Sequence, residues 1–350
     1  MDELVELLAS LSNAPGISGY EDRVREVIHE ALEDDVDEIR YDRMGNLIAV
    51  KNGGIPSVMV AAHMDEIGLM AKYIDDDGFI RFVTFGGWFD QTLLNNSVTL
   101  HTKQGDVHGV IGSKPPHLME KEEQEKTIKA KDMFIDVGAD DREAVEQLGI
   151  RPGTPITLQP RFHTLQGSRV TGKALDDRVG VAMMIEAIRR YDGDATLYAV
   201  GTVQEEVGLK GAKTSAFGLD PDVALVSETA LAGDYPGVEK KESALQLGQG
   251  PAVTVTDASG RGLITPSPVL TWLEETATEN NIDYQLDVSA GGTTDATAIH
   301  LTRAGILSGV IGVPTRYLHS GVEVADLRDL ERGADLIAAA VKRADRYFTR

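Results

Sequence analysis

Apolar runs alternate with amphipathic segments along most of this chain. The run VMVAA at 58–62 is apolar at every position, which is typical of a strand buried on both faces of a mainly parallel sheet. Further strands are predicted at 195–203, 222–227 and 305–313, and helices at 176–191, 210–217, 266–280 and 324–348. Strands that alternate with helices of this length predict an α/β sheet with helices on both faces.

The first 67 residues show the same alternation. Two helices are predicted within 1–35, and the second is introduced by Ser18 and Glu21, whose spacing is that of a capping box. Strands are predicted at 36–41, 46–50 and 57–62, separated by glycine-containing turns.

Between residues 68 and 162 the pattern changes to short strands. They are predicted at 78–84, 97–102 and 106–111, and this region contains no convincing long amphipathic helix. A β module inserted into the α/β fold explains the change. We therefore divide the chain into a first α/β part (1–67), an inserted β module (68–162) and a second α/β part (163–350).

Composition and charge exclude several classes of function. The chain has no cysteine, which excludes disulfides, thiolate catalysis and cysteine-bound zinc. Its formal charge of −22 disfavours nucleic acid and anionic membranes as partners, and it would suit the salt-rich cytoplasm of a halophilic archaeon. An acidic N-terminus and the lack of a run of about 20 apolar residues predict a soluble cytoplasmic protein.

Polar residues follow the predicted strands at the edge where α/β sheets bind their ligands. They are His63 and Asp65 after the strand at 57–62, Glu205 and Glu206 after 195–203, Glu228 after 222–227, and His319 after 305–313. Asp176 and Asp177 lie at the start of a predicted helix, where the partial positive charge favours a carboxylate.

Two imidazoles and three carboxylates suit a pair of zinc, cobalt or manganese ions that share one carboxylate. Asp65 is spaced to accept a hydrogen bond from the second ring nitrogen of His63. Glu205 and Glu206 point to different sides of an extended chain, so one can bind metal while the other faces a bridging water. Each residue alone is more often structural, and only their combination favours a metal site. The other histidines lack this context and are interpreted as ordinary residues: His29, His101, His108, His117, His163 and His300.

Five stretches of the chain occur in a specific order and spacing. They are AAHMDEIGLMAKYIDDDGFIRF, GSRVTGKALDDRVG, VGTVQEEVGLKGA, GGTTDA and GVPTRYLHSGVE. With them the chain resembles the tetrahedral (TET) aminopeptidases and the glutamyl aminopeptidases grouped with them. The resemblance implies a dinuclear catalytic domain of the phosphorylase/hydrolase type, interrupted by a small PDZ-like β-barrel for dimerisation. It also implies that dimers assemble into a hollow homododecamer.

The resemblance also implies a role for each candidate residue. Two divalent ions, zinc or cobalt, would be held by five ligands: His63 and Glu228 for one ion, Glu206 and His319 for the other, and Asp176 as the bridge, with Asp177 as the alternative bridge. Glu205 would be the base that handles the proton, beside the His63 partner Asp65. The family commonly has Asp where this chain has Glu228, a departure that bears on metal preference rather than on metal binding.

The expected function is therefore a metal-dependent aminopeptidase that removes N-terminal residues from short peptides. The alternatives are an N-acyl deacylase, an endoglucanase-like hydrolase and a non-catalytic shell protein. The pair His63 and His319 disfavours a glycosidase, which needs two carboxylates and no imidazole pair. Retention of Glu205 together with the full ligand set disfavours a silent shell.

Overall fold

The computed structural model describes residues 2–348. Its strands are β1 (Glu38–Tyr41), β2 (Leu47–Lys51), β3 (Gly54–His63), β4 (Gly68–Ile74), β5 (Ile80–Phe85), β6 (Ser97–Thr102), β7 (Gly105–Ile111), β8 (Ile135–Asp136), β9 (Pro155–Leu158), β10 (His163–Thr164), β11 (Arg169–Gly172), β12 (Ala195–Thr202), β13 (Val223–Leu231), β14 (Ala252–Thr256), β15 (Gln285–Val288), β16 (Leu307–Arg316) and β17 (Glu323–Asp326).

The helices complete the set of elements. They are α1 (Asp2–Asn13), α2 (Asp22–Leu32), α3 (Lys121–Gln124), α4 (Arg142–Gln147), α5 (Leu175–Arg190), α6 (Lys210–Leu219), α7 (Ser267–Asn280), α8 (Ala296–Ile299) and α9 (Leu327–Lys342). Short 3-10 turns occur at Asp90–Thr92, Pro116–Leu118, Ala130–Asp132, Ala258–Gly260 and Ala344–Arg346. None of the described helices is long and apolar enough to cross a membrane.

A large mixed sheet forms the centre of the molecule. Its strands follow the order β1-β2-β12-β3-β13-β16-β17-β11-β10, with β14 paired to β16 and β15 paired to β14. The central strands β12, β3, β13 and β16 are parallel to one another. Their carboxyl ends therefore meet at one edge, which is where an open α/β sheet binds its ligands.

Both faces of this sheet are buried. In β3, Val58 and Val60 point into a core that they share with α1, α2, α5 and α9. The alternate residues Met59 and Ala61 point into a second core with α6 and α8. The all-apolar sequence of β3 follows from this burial, because successive side chains of a strand point to opposite faces.

The segment between the two α/β parts forms a closed barrel in the order β4-β5-β8-β7-β6-β9. It has a core of its own, which includes Leu69, Phe82, Leu100, Ile135 and Ile156. A mixed sheet covered on both faces, together with a small β-barrel, confirms the predicted fold class.

Two local predictions are wrong, for a tertiary reason in each case. The final helix begins at Leu327, because residues 324–326 pair with β11 and β16 as strand β17. Ser18 and Glu21 do not form a capping box. The Ser18 hydroxyl donates to Asp65 Oδ2 over 2.6 Å, and Glu21 accepts from the backbone N–H of Gln204 over 3.1 Å. Both side chains thus tie the segment before α2 to the strand ends.

Candidate metal centre

The sheet register brings His63 and Glu228 side by side. His63 is the last residue of β3, and Ala61 of that strand pairs with Val226 of β13. Glu228 lies two residues further along β13, so it continues this register to the level of His63. It lies within β13 rather than after it, since that strand runs on to Leu231.

Three side chains form what we call the inner group: His63, Asp176 and Glu228. His63 Nε2 lies 3.2 Å from Asp176 Oδ1 and 3.6 Å from Glu228 Oε1. One donor atom from each residue lies within 4.8 Å of the others. The group is buried, with the His63 side chain 2% exposed and the Glu228 side chain 6% exposed.

Three side chains form the outer group: Asp176, Glu206 and His319. His319 Nε2 lies 3.4 Å from Asp176 Oδ2 and 3.5 Å from Glu206 Oε1. Asp176 thus belongs to both groups and turns a different carboxylate oxygen to each histidine. This is the arrangement that a carboxylate bridging two ions requires.

Asp176 and Asp177 face different partners although they are adjacent. Both have non-helical dihedral angles within α5, and the peptide bond between them is cis. Asp177 accepts from the backbone N–H groups of His63 and Gly180, over 3.2 and 3.1 Å. Its carboxylate is thereby occupied by the backbone, whereas Asp176 is turned toward the imidazoles.

Asp65 organises the site more broadly than the sequence suggested. The His63 Nδ1 atom lies 3.0 Å from the main-chain oxygen of Asp65 and 3.6 Å from its carboxylate. The carboxylate accepts from the backbone N–H groups of Glu205 and Glu206, over 2.8 and 3.2 Å. It therefore holds the turn that carries both glutamates, and the main-chain oxygen takes the hydrogen-bonding role toward His63.

Glu205 lies at the same centre. Its carboxylate forms a third close group with His63 and Glu206, again with donor atoms within 4.8 Å of one another. The preceding residue, Gln204, has a φ of 57°, a left-handed conformation in which the chain turns sharply after β12. This turn brings both adjacent glutamates to the site instead of pointing one of them away.

Two supporting residues were missed by sequence reasoning. Glu323 accepts from the backbone N–H of Asp176 over 3.0 Å and from that of His319 over 2.9 Å. Gly87, which follows β5 of the barrel, accepts from His319 Nδ1 over 2.7 Å. Glu323 lies four positions after His319 in the stretch GVPTRYLHSGVE, which was a usable signal, but no local pattern points to Gly87.

The pKa values of the site are shifted because several ionisable groups are buried close together. Burial, with Asp176 nearby, raises the pKa of Glu206 to about 7. Burial also raises the pKa of Glu205 and of Glu228 well above the usual range. The hydrogen bond with Asp176 raises the pKa of His319 to about 10.

The pKa of His63 is raised, as is that of His319. Burial opposes its charged form, yet the Glu228 and Asp176 carboxylates raise its pKa well above the usual range. Burial also opposes ionisation of Asp176, but hydrogen bonds from His319 and His63 lower its pKa. Two imidazoles do not balance the carboxylates gathered here, so bound positive charge would stabilise the centre.

The donor set fits divalent metal ions. Nitrogen and oxygen donors in two groups of three suit zinc and related borderline ions, which bind three protein ligands at catalytic sites and leave a position open. Every one of the five predicted ligands, His63, Asp176, Glu206, Glu228 and His319, belongs to at least one of the two groups.

The groups open into a cavity of about 670 Å³. His63, Asp176, Glu205, Glu206, Glu228 and His319 line one side of it. The other side is formed by β14, β15 and the loop 289–294. The cavity is large enough for a ligand well beyond the ions themselves.

Comparison with known proteins agrees with this geometry. The sequence model of the M42 glutamyl aminopeptidase family matches residues 45–336. The chain is 38% identical over 341 residues to the lysyl aminopeptidase of Pyrococcus furiosus, covering 96% of each chain.

Two solved structures are similar over nearly the full length. The TET aminopeptidase of a marine sediment Thaumarchaeota archaeon superposes with a TM-score of 0.94 at 40% identity, covering 98% of this chain and 96% of that one. The TET1 peptidase of Pyrococcus horikoshii superposes with a TM-score of 0.87 at 36% identity, covering 97% and 99%. The resemblance noted in the sequence is confirmed.

Proposed function

Since the chain belongs to the M42 glutamyl aminopeptidase family, we propose that it removes N-terminal residues from short peptides with two divalent ions, one in each group. Family membership makes it a metallo-aminopeptidase; the ion number and the ligands are our assignment. The observation that carries the proposal is the Asp176 carboxylate, whose oxygens lie 3.2 and 3.4 Å from the ring nitrogens of two different histidines.

We assign zinc or cobalt to both groups, because mixed nitrogen and oxygen donors suit these ions. When bound, such ions act as Lewis acids toward the peptide carbonyl and lower the pKa of water. Elemental analysis after dialysis against zinc and against cobalt would test the assignment, with about two equivalents per chain expected. A single equivalent in the wild type would contradict the division into two groups.

We assign Glu205 the proton transfer. Its carboxylate lies beside His63 and Glu206, in a third close group of possible donors. Because the inner and outer groups already supply three donors for each ion, we assign Glu205 to accept the proton of the attacking water rather than to bind metal. It then delivers the proton to the amine that leaves. Asp65 acts as a positioning residue, since it holds the backbone N–H of Glu205 over 2.8 Å.

Glu205→Gln tests this role. We expect kcat to fall about 10²- to 10⁴-fold, because the amide cannot accept a proton, while metal content stays at the wild-type level. The matched control is Glu26→Gln on the exposed face of α2. Near wild-type turnover in Glu205→Gln would refute the base assignment.

A peptide and its blocked twin separate the aminopeptidase from the deacylase. We expect stepwise release from a Leu-initiated tetrapeptide, no release from its N-acetylated form, and loss of activity after chelation. Cleavage of the acetylated twin would instead identify a deacylase or an endopeptidase.

We further propose that residues 68–162 are a dimerisation module between two catalytic parts, 1–67 and 163–350, and that the dimers assemble into a hollow dodecamer. The barrel exposes large apolar side chains, including Phe89 at 61% and Val110 at 49%. The Pyrococcus horikoshii relative is described as assembling into a tetrahedron or a large octahedral shell. Size-exclusion chromatography with light scattering tests this assembly. A stable dimer at working salt would contradict the proposed shell.

The relatives leave the preferred N-terminal residue open. The family is named for glutamyl activity and the Pyrococcus furiosus relative for lysyl activity, and these two side chains carry opposite charges. The preference of this chain therefore has to come from the wall of its own cavity.

A further inference from the structure

The cavity extends past the two metal-binding groups along one face of the sheet. Val310 of β16 pairs with Val226 of β13, and both Val310 and Thr254 of β14 line the cavity. Thr254 pairs in turn with Asp287 of β15, which also lines it. Strands β13, β16, β14 and β15 are successive neighbours, so this wall extends about 14 Å from the strand of Glu228 at a spacing of about 4.8 Å.

Asp257, directly after β14, is a buried acid in this wall. Its residue is 4% exposed. Oδ1 accepts from the backbone N–H of Leu263 over 2.5 Å, which accounts for one oxygen as part of the turn 257–263. Oδ2 is buried and has no hydrogen-bond partner among residues 2–348. A buried carboxylate oxygen without a partner is costly, so a donor that reaches it from the cavity would stabilise it.

Asp287 is the second acid in the wall. It is partly buried, and its side chain has no hydrogen bond or ion pair with any residue in the described range 2–348. Within that range, no lysine or arginine lines the cavity. The far wall therefore presents two carboxylates without a lysine or arginine to neutralise them, and the imidazole of His300 lies near Asp257.

A third metal ion does not explain these carboxylates. The groups of three or more candidate ligands found within residues 2–348 do not include Asp257 or Asp287. No imidazole or third acid joins these two carboxylates in such a group, so they are a poor site for the ions that suit the inner and outer groups. The occupant that matches is a cationic ligand group that donates several hydrogen bonds.

We propose that Asp257 and Asp287 form the pocket for the side chain of a lysine or arginine at the substrate N-terminus. The inference rests on the proposed aminopeptidase function and names the class of residue that it removes. A substrate whose N-terminal residue sits at the metal groups directs its side chain along the cavity, where the two acids receive the charged end.

The two acids of the pocket favour a cationic side chain as the occupant. Burial and the neighbouring Asp257 raise the pKa of Asp287 to about 6, and burial raises the pKa of Asp257. The Asp287 carboxyl is thus held away from water beside a second acid, whereas the Asp257 carboxyl is shifted by its burial. A bound ammonium or guanidinium relieves that repulsion, whereas a glutamyl side chain would add a third negative charge.

The test compares lysyl, norleucyl and glutamyl p-nitroanilides on the metal-loaded protein. Lysine and norleucine share the same straight stem, so their ratio of kcat/KM isolates the charged end. We expect wild type to favour lysine over norleucine by at least about tenfold, since a hydrogen bond to a charged group contributes about that much. Turnover of the glutamyl substrate should be the slowest.

Asp287→Asn and Asp257→Asn should each lower the lysine-to-norleucine ratio about tenfold. The matched control is Asp283→Asn, an exposed acid shortly before β15 that pairs with Arg332 and does not line the cavity; it should leave the ratio unchanged. Asp287→Lys should reverse the preference in favour of the glutamyl substrate. Because Asp257 also holds the turn, the Asp287 variants decide the question if Asp257→Asn fails to fold.

The outcomes separate this inference from the proposed function. Activity on norleucine with no preference for lysine would overturn the pocket and leave the aminopeptidase standing. Equal losses on all substrates in Asp287→Asn would mean that the acids hold the α-amine, which also overturns the pocket. Failure of the function itself would appear as no metal-dependent release from any of the three substrates. In that case, displacement of bound lysinamide by norleucinamide, measured by calorimetry, still tests the pocket: equal affinities would overturn it.

Discussion

The inner and outer groups share Asp176 but are built differently. The inner group takes His63 and Glu228 from paired strands of the central sheet, and its histidine side chain is 2% exposed. The outer group takes His319 from a loop, with a φ of 59° and a side chain that is 38% exposed. Its ring is hydrogen bonded to Gly87, in a segment contributed by the barrel.

The two groups thus differ in how the protein positions the side chains that would bind metal. Sheet register and burial fix the inner group, so its geometry is set as soon as the core forms. The outer group depends on hydrogen bonds between distant loops, and one of them couples the barrel to the site. We therefore expect substitutions to exist that lower the affinity for the outer ion but leave the inner ion and the core undisturbed.

The largest difference between the two groups is expected when the histidine of each group is replaced in turn. In the metal-free protein, we expect His63→Ala to lower the free energy of unfolding by about 3–5 kcal/mol, because it leaves buried carboxylates without their partner. His319→Ala should cost about 1 kcal/mol or less, because solvent screens its exposed pairs. Denaturant titration measures both values, and elemental analysis should find one ion retained in each variant. Equal destabilisation would break the distinction between the groups.

The next largest effect is expected from Glu323→Gln, which should weaken the binding of the outer ion. The amide keeps one acceptor oxygen, so it cannot hold the backbone N–H groups of both Asp176 and His319. Loss of such support typically costs about 10- to 100-fold in metal affinity. Competition with a chromophoric chelator measures the affinity of each ion, with Glu26→Gln as the control. A loss confined to the inner ion would contradict the assignment.

Gly87→Ala tests the contribution of the barrel. A Cβ at this position would lie 2.9 Å from His319 Nδ1, so the ring has to shift. We expect a cost of about 1 kcal/mol, roughly fivefold in outer-ion affinity, as for other small overpacking changes. Gly112→Ala is the matched control in the barrel, since a Cβ there meets no atom within 4 Å. An outer-ion affinity equal to that of Gly112→Ala would show that the barrel does not support the site.

The smallest expected effect concerns pH and the opposite wall of the cavity. With a pKa raised to about 6, Asp287 is ionised above that pH and neutral below it. The lysine-to-norleucine ratio should therefore fall several-fold as the pH drops through about 6. Burial also raises the pKa of the neighbouring Asp257, which His300 faces. Using a ratio cancels titrations in the metal groups, and Asp287→Asn should flatten the profile.

Much of the candidate site could be predicted because strand ends are visible in the sequence. His63, Glu205 and Glu206 directly follow apolar runs, and parallel strands present their carboxyl ends at one edge. The acids of the opposite wall carry no such signal. Asp257 and Asp287 lie by short strands whose position depends on pairing with β16 through β14, so no local pattern could assign them to the cavity.

The sequence by itself determined the elements and the chemistry available to them. Apolar periodicity marked the strands and most helices, and the absence of cysteine left only imidazole and carboxylate as metal ligands. Only the tertiary structure decided which atoms meet. It turned Asp176 rather than Asp177 toward the imidazoles, and it moved Ser18 from a helix cap to Asp65. The physical reason is range: periodicity reports on neighbours within a few residues, whereas His63 and Asp176 are 113 positions apart and meet only because α5 packs against β3.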